Sequence, residues 1–349
     1  MIYTYLAFEE LQRRPINLRA NADVVPTFDQ GVFTYLLENL GVKNVQFEEL
    51  LTLEPESLAA LHPVYGVIFL FKYPTDTPYT ATDKPLDGAF DHDAAERLFF
   101  AAQTIQNACG TQALLSVLLN KTADGEIDVG DGLRDFREFT MVLPPEFRGE
   151  ALSNSELIRD VHNSFARSSP FVDETARTGN EETEDAFHFV AYTRVGATLY
   201  ELDGLQPAPI SHGACATPAD FNTKVMEVLQ RRVARYDLAE IRFNLMAMVG
   251  DLRVRAREIG DAEALARENR KRRDWQFENA LRRHNFVGFS GAVLSAVVRA
   301  KLKEGGEEGQ GDGAYQKWVE EATARTRLRL ENKRKGGGGG GDGDVEMEG

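Results

Sequence analysis

Residues 109–120, C-G-T-Q-A-L-L-S-V-L-L-N, read as an apolar helix opened by a thiol, and that one segment restricts what can surround it. A helix of this kind needs apolar cover. The chain offers it in V-Y-G-V-I-F-L-F-K-Y (64–73), whose β-branched and aromatic residues read as a buried strand. Two further strand patterns, A-F-H-F-V-A-Y-T (186–193) and A-T-L-Y-E-L-D (197–203), are parted by Gly196 and predict a hairpin. Strands and helices in this mixture point to an α+β fold.

Other segments carry their own signals. A helix runs from Thr27 to a stop at Gly41, with Val32, Leu36 and Leu40 on one stripe. Pro74 to Ala94 reads as a loop, and Asn154 to Arg167 as a second amphipathic helix. Residues 168–186 are polar, acidic and without period, a long loop of the kind that often serves as a lid. Phe221 to Ile259 shows three-to-four spacing and predicts helix. Asp261–Asp274 is charged and reads as a connector or an exposed helix, Trp275–Lys303 returns to an apolar stripe, and Ala314–Lys335 is a basic helix. The glycine run and acids from Gly336 read as disordered.

Charge and cysteine count narrow the function classes. The net charge of −15 is uneven: residues 1–225 hold 16 Lys and Arg against 34 Asp and Glu, and residues 226–335 hold 24 against 17. An acidic front is a poor nucleic-acid surface and suits a basic protein partner. Two cysteines make no disulfide framework, which points to a reducing compartment. No stretch nears 18 uninterrupted apolar residues, and the start M-I-Y-T-Y-L-A-F-E-E lacks the basic opening of a secretory signal.

The thiol is where chemistry concentrates. Attack on a carbonyl needs a thiolate, which a free thiol scarcely supplies at neutral pH. With Asn107 as N-cap, Cys109 falls in the first helical turn, where unpaired N–H groups and the helix dipole favour an anion. Gln103, six positions earlier, offers an amide donor for an oxyanion, and the Cys109 N–H a second. His188 stands in F-H-F, on the strand face opposite Phe187 and Phe189, and Asp203 ends the next strand where it can orient the ring. His162 is the rival base, on an amphipathic helix without a matching acid. His62, His92, His212 and His284 read as surface residues. Cys215 opens no helix and reads as non-catalytic, and two cysteines without close pairing make no zinc site. The bland reading of an isolated cysteine is a small buried hydrophobe.

Several blocks resemble the ubiquitin C-terminal hydrolase family of papain-like cysteine peptidases. They are G-V-F-T-Y-L-L (31–37), L-E-P-E-S-L (53–58), G-V-I-F-L-F-K-Y (66–73), Q-T-I-Q-N-A-C-G-T-Q-A (103–113), A-L-S-N-S-E-L-I-R-D-V-H-N-S-F-A-R (151–167), E-D-A-F-H-F-V-A-Y (184–192) and L-Y-E-L-D-G-L (199–205). The resemblance implies a central antiparallel sheet flanked by helices. It also implies Cys109 as nucleophile, His188 as general base, Asp203 as orienting acid and Gln103 as oxyanion donor, with no cofactor. Residues 168–186 then fall on the family's crossover loop, and the substrates are ubiquitin conjugates cleaved after the terminal glycine. I-R-F-N-L-M-A-M-V (241–249) and E-N-A-L-R-R-H-N-F (278–286) resemble the helical extension of the proteasome-associated branch, implying docking of the last basic helix to the proteasome's ubiquitin-receptor subunit.

The expected layout is a divergent segment over 1–26, a catalytic domain over 27–220, a helical docking extension over 221–335 and a tail over 336–349. No membrane or nucleic-acid partner is expected, and the location is cytoplasmic and nuclear, with R-K-R-R (270–273) and K-R-K (333–335) readable as nuclear signals or solvated faces. A histone-directed nuclear branch of the same family, a catalytically silent ubiquitin-binding module and a thiol acyltransferase stand as alternatives.

Overall fold

The structure is a computed structural model that describes residues 29–72, 84–104, 108–123, 125–164, 187–236, 243–284, 286–304 and 311–336. The expectations for residues 1–26, Asn107, the 168–186 loop and the 337–349 tail lie outside those residues. Two compact units emerge, one ending at Arg283 and one beginning at His284.

The first unit is built on a seven-stranded antiparallel sheet. Its strands are β1 (Val45–Glu49), β2 (Val64–Lys72), β3 (Ala89–Phe90), β4 (Phe187–Val195), β5 (Thr198–Leu202), β6 (Ile210–Ala214) and β7 (Asn244–Gly250), in the spatial order β1-β7-β2-β4-β5-β6-β3. Alternation sorts the side chains cleanly. Ile68, Leu70, Phe189, Ala191, Met246 and Met248 face one core with helices α1 (Gln30–Asn39) and α4 (Cys109–Ala123). Val67, Phe69, Phe71, Val190, Tyr192, Leu245 and Ala247 face a second core under α8 (Pro218–Val233). A sheet covered on both faces gives strands without a polar side, so their sequences read as continuous apolar runs.

That burial corrects one expectation. The helical spacing read across 221–259 holds for α8, but Asn244–Gly250 is β7, lying between β1 and β2 and pairing with both. A short run apolar on every side does not distinguish a buried strand from a buried helix. The sheet therefore draws on residues past 220, and α9 (Leu252–Glu258) and α10 (Ala262–Arg283) follow it within the same unit.

Helix α10 clasps α1. Asp29 caps α1 by accepting from the Val32 N–H at 2.9 Å, and Arg282 donates to the same carboxylate. Gly31 is required here, since a Cβ would sit 2.8 Å from the Trp275 ring. Asn279 Nδ2 donates to the Gly31 carbonyl at 2.9 Å. Asp29 thus supplies a working helix start.

Short helices α2 (Pro55–Ala59) and α3 (Ala94–Arg97) precede α4; α5 (Gly130–Thr140), α6 (Pro145–Asn154) and α7 (Glu156–Asn163) follow it. Arg148 of α6 is 2 % exposed and has no acid partner among the described residues. Its guanidinium donates instead to the carbonyls of Ala95 (2.8 Å), Leu98 (3.0 Å), Phe100 (3.2 Å), Thr140 (3.2 Å), Met141 (3.0 Å) and Leu143 (2.8 Å). One side chain thereby fixes the strand-like segment 98–103 to the α5–α6 turn. The second unit holds α11 (Val287–Glu304) and α12 (Gly311–Gly336).

Arg148→Leu is expected to cost more than about 3 kcal/mol of unfolding free energy, because each buried carbonyl left unpaired costs about 1–3 kcal/mol. Urea titration followed by circular dichroism measures it, and a loss below about 1 kcal/mol would mean that the guanidinium is not the clasp.

Candidate active site

Helix α4 starts at Cys109: the Gln112 N–H donates to the Ala108 carbonyl at 2.9 Å, so the Cys109, Gly110 and Thr111 N–H groups lie ahead of the helical ladder. The rest of the helix is sealed, with Leu114, Leu115, Val117, Leu118 and Leu119 fully buried. A rod packed on all sides gives its tip little freedom. Cys109 itself is half-buried and free of any disulfide.

His188 is the second residue of β4 and only 4 % exposed. Its Nε2–H donates to Asp203 Oδ1 at 2.7 Å, and Asp203, just past β5, is 2 % exposed. That bond leaves Nδ1 as the nitrogen for the thiol. Burial by itself would push the imidazole down, but the Asp203 carboxylate, followed by a hydrogen bond and charge interaction with the Cys109 sulfur, raises its pKa from 6.5 to about 9. At neutral pH the ring is a cation between two partners that stabilise it. The Phe71 ring meets it edge to face at a centroid distance of 5.8 Å.

Gln103 lies at the end of the segment that Arg148 clamps, and three further ties hold that segment. Asn120 of α4 exchanges two hydrogen bonds with the Phe99 backbone, 2.8 Å and 2.9 Å. Gln112 Nε2 donates to the Ala101 carbonyl, and the Gln103 N–H to the Gly204 carbonyl at 2.8 Å. The last tie joins the segment bearing Gln103 to the turn bearing Asp203. A Cβ at Gly204 would lie 2.1 Å from Gln112 Nε2 and 3.0 Å from Gln103 Cβ, so a larger residue there displaces the Gln112 amide from the Ala101 carbonyl. Asp203 is further fixed by the Leu205 N–H at 3.0 Å.

The structure therefore gathers Cys109, His188 and Asp203 and pins the Gln103 backbone to the turn that carries the acid. His162 also comes near the tip of α4, but its Nδ1 engages Thr111 Oγ1 at 2.8 Å, and burial lowers its pKa. Cys215 is 1 % exposed with a thiol pushed up by burial, an inert environment. His62, His92 and His284 are exposed as expected. His212 corrects its surface reading: its side chain is 1 % exposed and bonds Glu201 at 3.0 Å, because β6 carries it under the sheet. Sequence reasoning passed over Arg148, Asn120, Gln112 and Gly204; only Gly204, beside the candidate acid, carried a local hint. Among the described residues no group of three or more His, Cys, Asp or Glu could hold a metal ion, and no helix is long and apolar enough to cross a membrane.

Comparison with known proteins identifies the family. Residues 27–234 match the family model described as ubiquitin carboxyl-terminal hydrolase, family 1, and residues 259–302 match a second, ubiquitin carboxyl-terminal hydrolases. The chain is 49 % identical over 280 residues to ubiquitin carboxyl-terminal hydrolase 2 of Schizosaccharomyces pombe, covering 78 % of this chain and 90 % of that one. It is 38 % identical over 318 residues to ubiquitin carboxyl-terminal hydrolase ubh-4 of Caenorhabditis elegans, covering 85 % and 93 %. Among solved structures, Trichinella spiralis UCH37 bound to ubiquitin vinyl methyl ester is similar at a TM-score of 0.54 and 32 % identity, covering 73 % and 96 %.

The His188–Asp203 pair carries a pH signature. Because the folded-state pKa lies above the ordinary 6.5, the pair stabilises the fold fully below about pH 6.5, and that contribution fades as pH rises through about 9. The wild type should exceed Asp203→Asn by about 3 kcal/mol on the acid side of this window, with the gap closing on the alkaline side. Unfolding free energies measured from pH 6 to pH 10 decide it, and a pH-independent gap would contradict the assignment of charge.

Proposed function

The chain belongs to the ubiquitin carboxyl-terminal hydrolase family 1, whose members are cysteine-type enzymes that release ubiquitin, and on that premise we propose that Cys109 is its nucleophile, His188 its general base, Asp203 the orienting acid and Gln103 the oxyanion donor. The observation that carries this reading is the placement of His188, whose Nε2 meets the buried Asp203 carboxylate at 2.7 Å while its ring also engages the Cys109 sulfur.

The reaction follows from those positions. The Cys109 thiolate, stabilised by the His188 imidazolium and the start of α4, attacks the carbonyl carbon of ubiquitin's terminal glycine. Charge builds on the carbonyl oxygen, where the Gln103 amide and the Cys109 N–H receive it. His188 then gives its proton to the departing amine, and the acyl chain stays on sulfur. Water enters, His188 takes its proton, and a second tetrahedral intermediate collapses to free the carboxylate and restore the thiolate. Asp203 keeps the ring in one tautomer and one orientation throughout. The acidic front of residues 1–225 suits ubiquitin's basic surface.

The C-terminal helices are the docking element of this reading, with the proteasome's ubiquitin-receptor subunit as partner and cytoplasm and nucleus as locations. Two observations support it. The second family model covers residues 259–302, and α11 displays Phe289 (65 % exposed), Val293, Leu294 and Val297 as an apolar stripe. The basic helix α12 follows as the expected contact.

Ubiquitin bearing a C-terminal electrophile should label the wild type and Cys215→Ala, whereas Cys109→Ala should lose labelling by at least about a thousandfold, the scale of losing a nucleophile. Labelling that survives in Cys109→Ala removes the assignment. Deleting residues 314–349 should weaken co-purification with proteasomes while leaving cleavage of small ubiquitin adducts unchanged, and full retention of proteasomes would remove the docking role.

A further inference from the structure

Behind His188, on the α8 side of the sheet, lies a cavity of about 250 Å³ that the hydrolysis does not use. Tyr236 supplies the aromatic wall, Phe71 and Tyr192 lie buried beneath the Arg232 guanidinium, Leu86 stands at the edge, and Arg232 and Arg235 bring two guanidiniums. The charges around it do not cancel. Burial would raise the Glu201 carboxyl, but Arg232 and His212 hold it down at about 2, so at neutral pH it is an anion that neutralises Arg232. Arg232 also donates to the Tyr192 hydroxyl at 2.7 Å. Asp87 is taken by Arg231 at 3.0 Å. Arg235 is exposed and has no ion-pair partner among the described residues, which leaves one unmatched positive charge at an aromatic-lined mouth.

The volume is just below the range of drug-sized pockets and suits a body of one or two rings. A flat ring stacks on the half-buried Tyr236, and a single carboxylate matches the Arg235 guanidinium. Phe71 links the cavity to the thiol chemistry. The Arg232 guanidinium lies 4.5 Å from its ring centroid, and the His188 ring meets it at 5.8 Å. An occupant that shifts Arg232 shifts the group stacked on Phe71, and with it the support of His188.

We propose that this cavity is a ligand site for a small aromatic monocarboxylate, with Arg235 as its anion contact, and that occupancy is felt at His188 through Phe71. The coupling half rests on His188 acting as base; the binding half does not. The test uses the full chain with 2-naphthoate as probe, binding followed by isothermal calorimetry. Saturable binding is expected, weakened at least tenfold in Arg235→Ala, largely restored in Arg235→Lys, and at least tenfold weaker for neutral 2-naphthamide. Non-saturable uptake, equal affinity in Arg235→Ala, or equal affinity for the amide overturns the site. Saturating 2-naphthoate should change the rate of Cys109 labelling by the ubiquitin electrophile at least twofold in the wild type, with no change in Arg235→Ala at the same concentration. Binding with an unaltered labelling rate overturns the coupling and keeps the site.

Discussion

A positive charge in a nearly sealed pocket is the feature around which this protein is arranged. An imidazolium at 4 % exposure is unfavourable in isolation, and it persists because Asp203, itself 2 % exposed, lies 2.7 Å away. The arrangement demands that two strand ends be held to within a fraction of an ångström. The β4–β5 pairing, running from Ala191 opposite Leu202 to Val195 opposite Thr198, sets that alignment, and Gly196 at φ +58° closes the turn between them. A slip of one residue would send His188 to the α4 face and separate it from its acid.

The remaining geometry comes from a frame built of backbone carbonyls. Segment 98–103 belongs to no regular element apart from its ties, yet it is the support of Gln103. Arg148 grips it from one side, and Asn120 and Gln112 grip it from the helix that carries Cys109. The amide and the sulfur are thus referred to the same rigid rod. The Gln103–Gly204 bond then closes the loop back to the acid. Precision at such a centre is supplied by the groups behind it as much as by the reacting groups.

Much of this was legible in the sequence, and the limits have physical causes. The helix at Cys109 and the hairpin at Gly196 were strong signals, because an apolar period and a turn residue act locally. His188 could be placed on a strand face by alternation alone. Strand β7 was hidden because both its faces are buried, which erases the periodicity that separates strand from helix. Arg148 was invisible for a different reason: arginine is almost always a surface residue, and nothing local in P-E-F-R-G-E reveals the carbonyls of Ala95, Leu98 and Phe100 far back in the chain. His212 misled in the same way, since its burial depends on Glu201, eleven residues earlier, and on a helix that arrives later.

The position of β7 has a consequence for how the chain comes into being. Cys109, His188 and Asp203 have all been translated some forty residues before Asn244 emerges, yet β1 and β2 have no partner on their facing sides until Asn244–Gly250 slots between them. A nascent protein must therefore carry an open seam one strand in from the edge of its sheet, with two bare edges ready to pair with a stranger. The ribosome releases the thiol, the imidazole and the carboxylate first and β7 last, so the sheet is complete only when the gap between β1 and β2 is filled from behind.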